Sequence, residues 1–228
     1  MTPQAHRVLD EDLRREAEAI KARYPNARSA TLPLLFLVQS VEGYVTEDGM
    51  REVADILGLT PAQVLAACSF YTMLKTTPQG SFLVSVCRNI SCSHMGARAV
   101  IKALVEHLGI EPGETTADGL FTLETAECLA TCDGAPSLQI NYEDFYNVGP
   151  DSAVELLDRL AAGEEVRSVR GEPVKSSKEI SYETATTGLR IPGTAGEQTA
   201  RTIGGESPPA DVGPGFRPKV HGENGSDG

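Results

Sequence analysis

The chain has 228 residues with 20 basic and 32 acidic side chains, a formal charge of −12. That length holds one or two domains with a sizeable core, and so acidic a balance argues against nucleic-acid binding by phosphate neutralisation. The longest early apolar run, Leu34 to Val38, is too short to cross a bilayer, and residues 1–12 lack an export-signal pattern, so a soluble cytoplasmic chain with no direct membrane insertion is expected.

Residues 1–78 read as a helical domain. Leu9, Leu13, Ala17, Ile20 and Tyr24 recur every three or four positions, with Asp10, Glu11, Arg14, Arg15, Glu18 and Lys21 on the other faces, and Pro25 closes the pattern. A second helix is expected from Pro33 to about Gly43. A third follows Thr46, whose Glu47 and Asp48 suit a helix N-terminus, and stops at Gly58. Thr60-Pro61 supplies an N-cap with proline in first position for a fourth. Cys68 falls on that helix and is read as a small buried hydrophobe.

Residues 79–162 change period. Phe82 to Val86 reads as a strand, and Ser93 is expected to cap a helix ending at Gly109, with Val100, Ile101, Leu104, Val105 and Leu108 as its apolar stripe. Leu120 to Ala126 reads as a second strand. Ser137–Asn141 and Asp144–Val148 form a hairpin, and a last helix begins at Pro150-Asp151. Strand, helix, strand, strand, strand, helix fits an α/β layer of thioredoxin-like type. The expected fold class is therefore α/β, an N-terminal helical bundle followed by that layer and an extended tail.

The tail, residues 163–228, holds 12 of the 22 glycines and 6 of the 14 prolines. Such composition does not bury enough apolar surface to offset ordering entropy by itself. Its scattered Ile180, Tyr182, Leu189, Ile191, Ile203 and Phe216 suit either a partner-wrapping or a disordered segment. The 8 basic and 10 acidic residues of the tail leave about −10 of the charge on residues 1–162.

Four of the five cysteines stand in two pairs, Cys87/Cys92 and Cys128/Cys132, each just after an expected strand. Two parallel strands joined by a helix bring both loops to one edge of a sheet, which makes a four-thiolate metal site. No CxxC redox dithiol is present, and in a reducing compartment thiols favour metal over disulfides. Spacing alone leaves zinc and iron–sulfur both open. Architecture favours the second: structural zinc serves mostly domains too small to fold unaided, whereas this layer has its own helices and strands. His94, two residues past Cys92, is read as a loop residue because four thiolates already complete a site.

The stretches Val86-Cys-Arg-Asn-Ile-Ser-Cys-Ser-His-Met-Gly96 and Glu124-Thr-Ala-Glu-Cys-Leu-Ala-Thr-Cys-Asp-Gly-Ala-Pro136 resemble the two cluster-binding loops of the thioredoxin-like 2Fe-2S ferredoxin family. Cys68-Ser-Phe-Tyr-Thr-Met-Leu74 is similar to a helix-end segment of the same family, so the resemblance spans roughly residues 5–162. Ala130-Thr131 departs from the family's glycine and small residue, and the long tail is not a general family feature. The resemblance implies one 2Fe-2S cluster, with Cys87 and Cys92 on one iron and Cys128 and Cys132 on the other. It implies an electron-transfer subunit of an NADH:quinone oxidoreductase (respiratory complex I), a non-catalytic-site subunit of that oxidoreductase and translocase. It would lie beside the NADH- and FMN-binding subunit and other peripheral-arm subunits, on the cytoplasmic side of the membrane. The competing readings are a small 2Fe-2S subunit of an NAD-linked hydrogenase or formate dehydrogenase, and a structural zinc-binding interaction module. No glycine-rich dinucleotide fingerprint opens a helix, so NADH and flavin are expected on another chain. All-thiolate ligation, without a Rieske-type histidine pair, predicts a low reduction potential.

Overall fold

The most apolar of the described helices, α2 (Thr31–Glu42), lies at the centre of the N-terminal half, with Leu34, Leu35, Leu37 and Val38 fully buried. A helix apolar on most of its faces is stable only when surrounded. Around it pack α1 (Glu11–Lys21), α3 (Glu47–Leu57) and α4 (Pro61–Phe70). The computed structural model describes residues 7–188.

Helix boundaries in this half follow their local chemistry. The Asp10 side chain accepts from the Leu13 amide at 2.9 Å, and the Thr46 hydroxyl accepts from the Gly49 amide at 3.1 Å. Thr60 and Gln63 form a reciprocal capping box ahead of Pro61. α2 starts at Thr31 rather than Pro33, because a 3-10 turn, Ala27–Ala30, leads directly into it. Glu52, buried on α3, fixes the segment before α1: its carboxylate accepts from the Val8 and Leu9 amides at 3.0 and 3.1 Å and from Arg14 Nε at 2.7 Å.

The second half is a four-stranded mixed sheet in the order β2-β1-β3-β4, from β1 (Phe82–Cys87), β2 (Phe121–Ala126), β3 (Leu138–Ile140) and β4 (Glu143–Phe145). β1 and β2 are parallel; β3 runs antiparallel to both β1 and β4. Asn141 and Tyr142 join β3 to β4 with φ of 48° and 69°, the two positive values of a type I′ hairpin turn. Val84, Val86, Leu123, Leu138 and Ile140 meet α6 (Ala97–Leu108) and α7 (Pro150–Ala161) in one core. Residues alternate across a strand, so Ser85 and Cys87 belong to the opposite face. There Ser85 Oγ donates to Glu124 at 2.7 Å, and Lys75, from the segment after α4, reaches Glu124 at 3.1 Å.

Two elements differ from the sequence reading. The helix expected from Ser93 is divided into a short α5 (Ile90–His94) and α6, because Gly96 between them takes φ 109°. Residues 163–188, read as the start of an extended tail, instead return across the chain to a helix, α8 (Ser177–Thr187), which packs on α2. The return is held at Asn141, whose amide donates to the Ser81 and Lys175 carbonyls at 2.8 and 2.7 Å. Ile180 lines a small cavity with Phe36 and Leu83, and the Tyr182 hydroxyl donates to Glu16, so these two apolar positions dock in cis. Leu189, Ile191, Ile203 and Phe216 lie outside the described residues. Among the described residues no single helix is long and apolar enough to cross a membrane.

Candidate metal centre

The parallel ladder sets the geometry of the cysteine loops. Cys87, the last residue of β1, is in register with Ala126, the last residue of β2. The loop to Cys92 and the loop through Cys128 and Cys132 therefore leave the same edge of adjacent strands, as two parallel strands joined by a helix require.

In the first loop the Asn89 side chain caps α5, accepting from the Ile90 amide at 2.7 Å, and Ser93 Oγ donates to the Arg88 carbonyl at 2.7 Å. These bonds turn the chain tightly enough to bring Cys92 back into one buried cluster with Cys87. Both are buried, at 3% and 2% exposure, with Ala97, Ala135 and Leu129 around them.

The second loop bends at Ala130, whose φ of 58° is unusual for a residue with a Cβ. The Ala130 amide donates to Cys128 Sγ at 3.3 Å. Cys132 opens a 3-10 turn, Cys132–Gly134. A Cβ built on Gly134 would overlap the Tyr146 ring, so only glycine lets the turn sit against β4. Gly96 has open space around it and serves through its positive φ of 109°. Cys128 and Cys132 are exposed, whereas Cys87 and Cys92 are not.

The two loops touch at the Cys87 sulfur. Burial pushes this thiol up from its ordinary value; the amides of Asn89, in its own loop, and Leu129, in the other, donate to it and pull it back, while Cys92 alongside pushes it up. Outside the sulfurs, Arg88 and Glu127 pair across the gap. Beneath them, Ser137 is shared: its carbonyl accepts from the Cys87 amide at 3.2 Å, its Oγ lies 3.5 Å from Cys92 Sγ, and the Thr131 hydroxyl lies 2.6 Å from that Oγ.

The donor set fits an iron–sulfur group. Soft sulfur atoms stand as two pairs on two loops, and the Ala130 amide already points at Cys128 Sγ. Among the described residues no three His, Cys, Asp or Glu side chains converge as ligands of one ion. A two-iron cluster asks only two thiolates of each iron. His94 is exposed at the end of α5, and Cys68 is buried in the helical half, in a separate apolar cluster from the cysteine loops.

The four cysteines stand on the two strand-end loops expected of them, but Thr131, Ser137, Arg88 and Glu127 were not expected as their neighbours. The signal for the ion pair was present, as opposite charges next to Cys87 and Cys128 on strands expected to be parallel. The hydroxyl pair had none, since it depends on how residues 132–136 reverse.

The thioredoxin-like 2Fe-2S ferredoxin family matches residues 17–161. The E subunit of the NADH-quinone oxidoreductase of Mycobacterium tuberculosis is 47% identical over 166 residues, 73% of this chain and 66% of the relative. An E subunit of the Rhizobium meliloti NADH-quinone oxidoreductase is 41% identical over 157 residues, 69% of this chain and 94% of the relative. A subunit of the Thermus thermophilus NADH-quinone oxidoreductase is 38% identical over 151 residues, 65% of this chain and 83% of the relative. The chain thus spans just under two thirds of the mycobacterial relative's length.

Proposed function

The chain belongs to the thioredoxin-like 2Fe-2S ferredoxin family, and from that premise we propose that it is the E subunit of an NADH:quinone oxidoreductase, with a role in electron transfer. Cys87 and Cys92 would hold one iron of a single 2Fe-2S cluster, and Cys128 and Cys132 the other. NADH and FMN are assigned to a neighbouring subunit of the peripheral arm, on the cytoplasmic face. The cluster-binding part is taken as residues 79–162 and the helical part as 1–78.

The observation that carries this reading is the parallel register of Cys87 with Ala126, which starts both cysteine loops at one edge of adjacent strands, with Ser137 Oγ 3.5 Å from Cys92 Sγ of one loop and 2.6 Å from the Thr131 hydroxyl of the other. It supports reading the two pairs as one site. When bound, the cluster supplies one-electron chemistry. The chain's own residues determine its setting. Buried Cys87 and Cys92 anchor the group on the protein side, and exposed Cys128 and Cys132 leave the other side open to a partner. Ile90 and Met95, two residues before and three after Cys92, are 83% and 59% exposed. Four thiolates give the centre a formal charge of about −2 oxidised and −3 reduced. Glu127 and Asp133 add negative charge, so a low potential is expected.

The test is anaerobic purification with iron and acid-labile sulfide assays and electron-spin spectroscopy of the reduced protein. Two irons, two sulfides and an axial or rhombic signal with an average g below the free-electron value support the reading. A colourless chain carrying one zinc ion removes it.

A further inference from the structure

Ser137 and Thr131 are hydroxyl residues with almost no solvent contact, at 2% and 6% exposure. Neither is a ligand. Ser137 is fixed by the sheet: it precedes β3, where Leu138 is in register with Val86, and its carbonyl accepts from the Cys87 amide at 3.2 Å. That ladder sets its Oγ 3.5 Å from Cys92 Sγ. Thr131, from the second loop, sets its own hydroxyl 2.6 Å from Ser137 Oγ. The three atoms form a chain running from one cysteine loop to the other.

Each hydroxyl has one proton to give. A sulfur bound to iron has none and only accepts. With the cluster in place the direction of the chain is therefore forced: Thr131 donates to Ser137, and Ser137 donates to Cys92. We propose that Thr131 and Ser137 form a hydroxyl relay that donates to the Cys92 sulfur and raises the reduction potential of the cluster. The inference rests on the cluster reading above.

The physical reason is differential stabilisation. Reduction adds one electron to an iron, here from dithionite or a reduced flavin; no S–Fe or O–H bond breaks, and the proton stays on Ser137. The reduced centre places more negative charge on its sulfurs, so a hydrogen bond there stabilises it more than the oxidised centre. Thr131 strengthens the effect by polarising the Ser137 hydroxyl in surroundings of low dielectric. The relay thus opposes the lowering of potential by four thiolates and the acidic side chains.

The experiment uses the full chain, reconstituted anaerobically, and begins with iron and sulfide. Absence of a 2Fe-2S cluster from the unaltered chain overturns the functional reading, which is a separate failure. With the cluster present, redox titration followed by electron-spin resonance compares variants. Ser137→Ala is expected to move the midpoint to more negative values, Thr131→Val to move it the same way by less, and Thr131→Ser to leave it at the original value. A Ser137→Ala midpoint that is unchanged or more positive overturns the proposal. Should Ser137→Ala not retain its cluster, the Fe–S stretching bands of the unaltered protein decide. A shift of these bands between H2O and D2O that is reduced in Thr131→Val supports the relay. Identical bands in both solvents, or an equal shift in both proteins, overturn it.

Discussion

Arg88 and Glu127, neighbours in sequence of Cys87 and Cys128, form an ion pair across the gap between the two cysteine loops. The side chains are 54% and 76% exposed. Exposed pairs of this kind contribute about 0–1 kcal/mol, so the pair orients the loop mouths more than it stabilises the fold. Glu127→Gln should change unfolding free energy by no more than about 1 kcal/mol. Removing a negative charge next to Cys128 should also move the cluster midpoint upward, and less so at high salt, where the charge is screened. A thermal melt and a redox titration at two ionic strengths check both parts; a midpoint that falls contradicts the charge argument.

The ligand assignment separates Cys128 from Cys68. Cys128→Ser should lose or strongly perturb the cluster absorbance. Cys68→Ala should keep it, because Cys68 is 1% exposed in the helical core among α2, α3 and α4 residues. That second change removes one heavy atom from a closed core and should cost on the order of 1 kcal/mol. Visible spectra and denaturant curves of the two variants are sufficient. A spectrum lost in Cys68→Ala and kept in Cys128→Ser reverses the assignment.

Gly134 makes a steric prediction. A methyl group there would overlap Cγ of Tyr146, so Gly134→Ala must push the Cys132 turn off β4. Overpacking of this kind costs about 1–3 kcal/mol, and the displaced turn carries an expected ligand. Lower stability and lower iron content are both expected. The pair Gly134→Ala with Tyr146→Ala should recover part of each, since the clash has then lost its partner. No recovery in the double variant means that the ring is not what excludes the methyl.

Which parts of this arrangement were legible in the sequence follows from the range of the interactions involved. Thr46 and Thr60-Pro61 announced α3 and α4, because capping is decided within one turn. The two parallel strands were readable from apolar runs bounded by cysteine loops, and the mixed α/β layer followed. Ser93 misled: it follows Asn89, the true cap, and Gly96 resets the chain before α6. The Thr131–Ser137 contact lies beyond local rules, since it needs the turn at Gly134 and the β1–β3 register together. α8 was hidden by averaging. Of the 12 glycines in residues 163–228, only Gly163, Gly171 and Gly188 precede residue 189, so composition over the whole stretch masked a helix with its own Ser176-x-x-Glu179 box.

That box leads to the last prediction. The Ser176 amide and hydroxyl donate to the Glu179 carboxylate at 2.9 and 2.6 Å, and these bonds, with Lys175 nearby, hold Glu179 below its ordinary value of 4.5. A carboxyl group lowered in the folded state contributes stability at pH values above its unfolded value, and that contribution is lost as pH falls through the folded value. The end of α8 should therefore loosen below about pH 4.5. Glu179 is exposed, so the effect is local fraying rather than global unfolding. Ser176→Ala removes the cap outright and should cost about 0.5–2 kcal/mol at neutral pH, without touching the contact deeper in the interface, where Gln39 Nε2 donates to Ser181 Oγ at 3.1 Å. Glu179→Gln keeps an acceptor for Ser176 but has no proton to take up in this range, so its protection, corrected for the intrinsic exchange rate at each pH, should be flat across the acid window. Amide hydrogen exchange of residues 177–187 between about pH 3.5 and 6, a window set around the carboxylate range, separates the three proteins. Protection that drops equally with acid in the original chain and in Glu179→Gln assigns the pH response to another group.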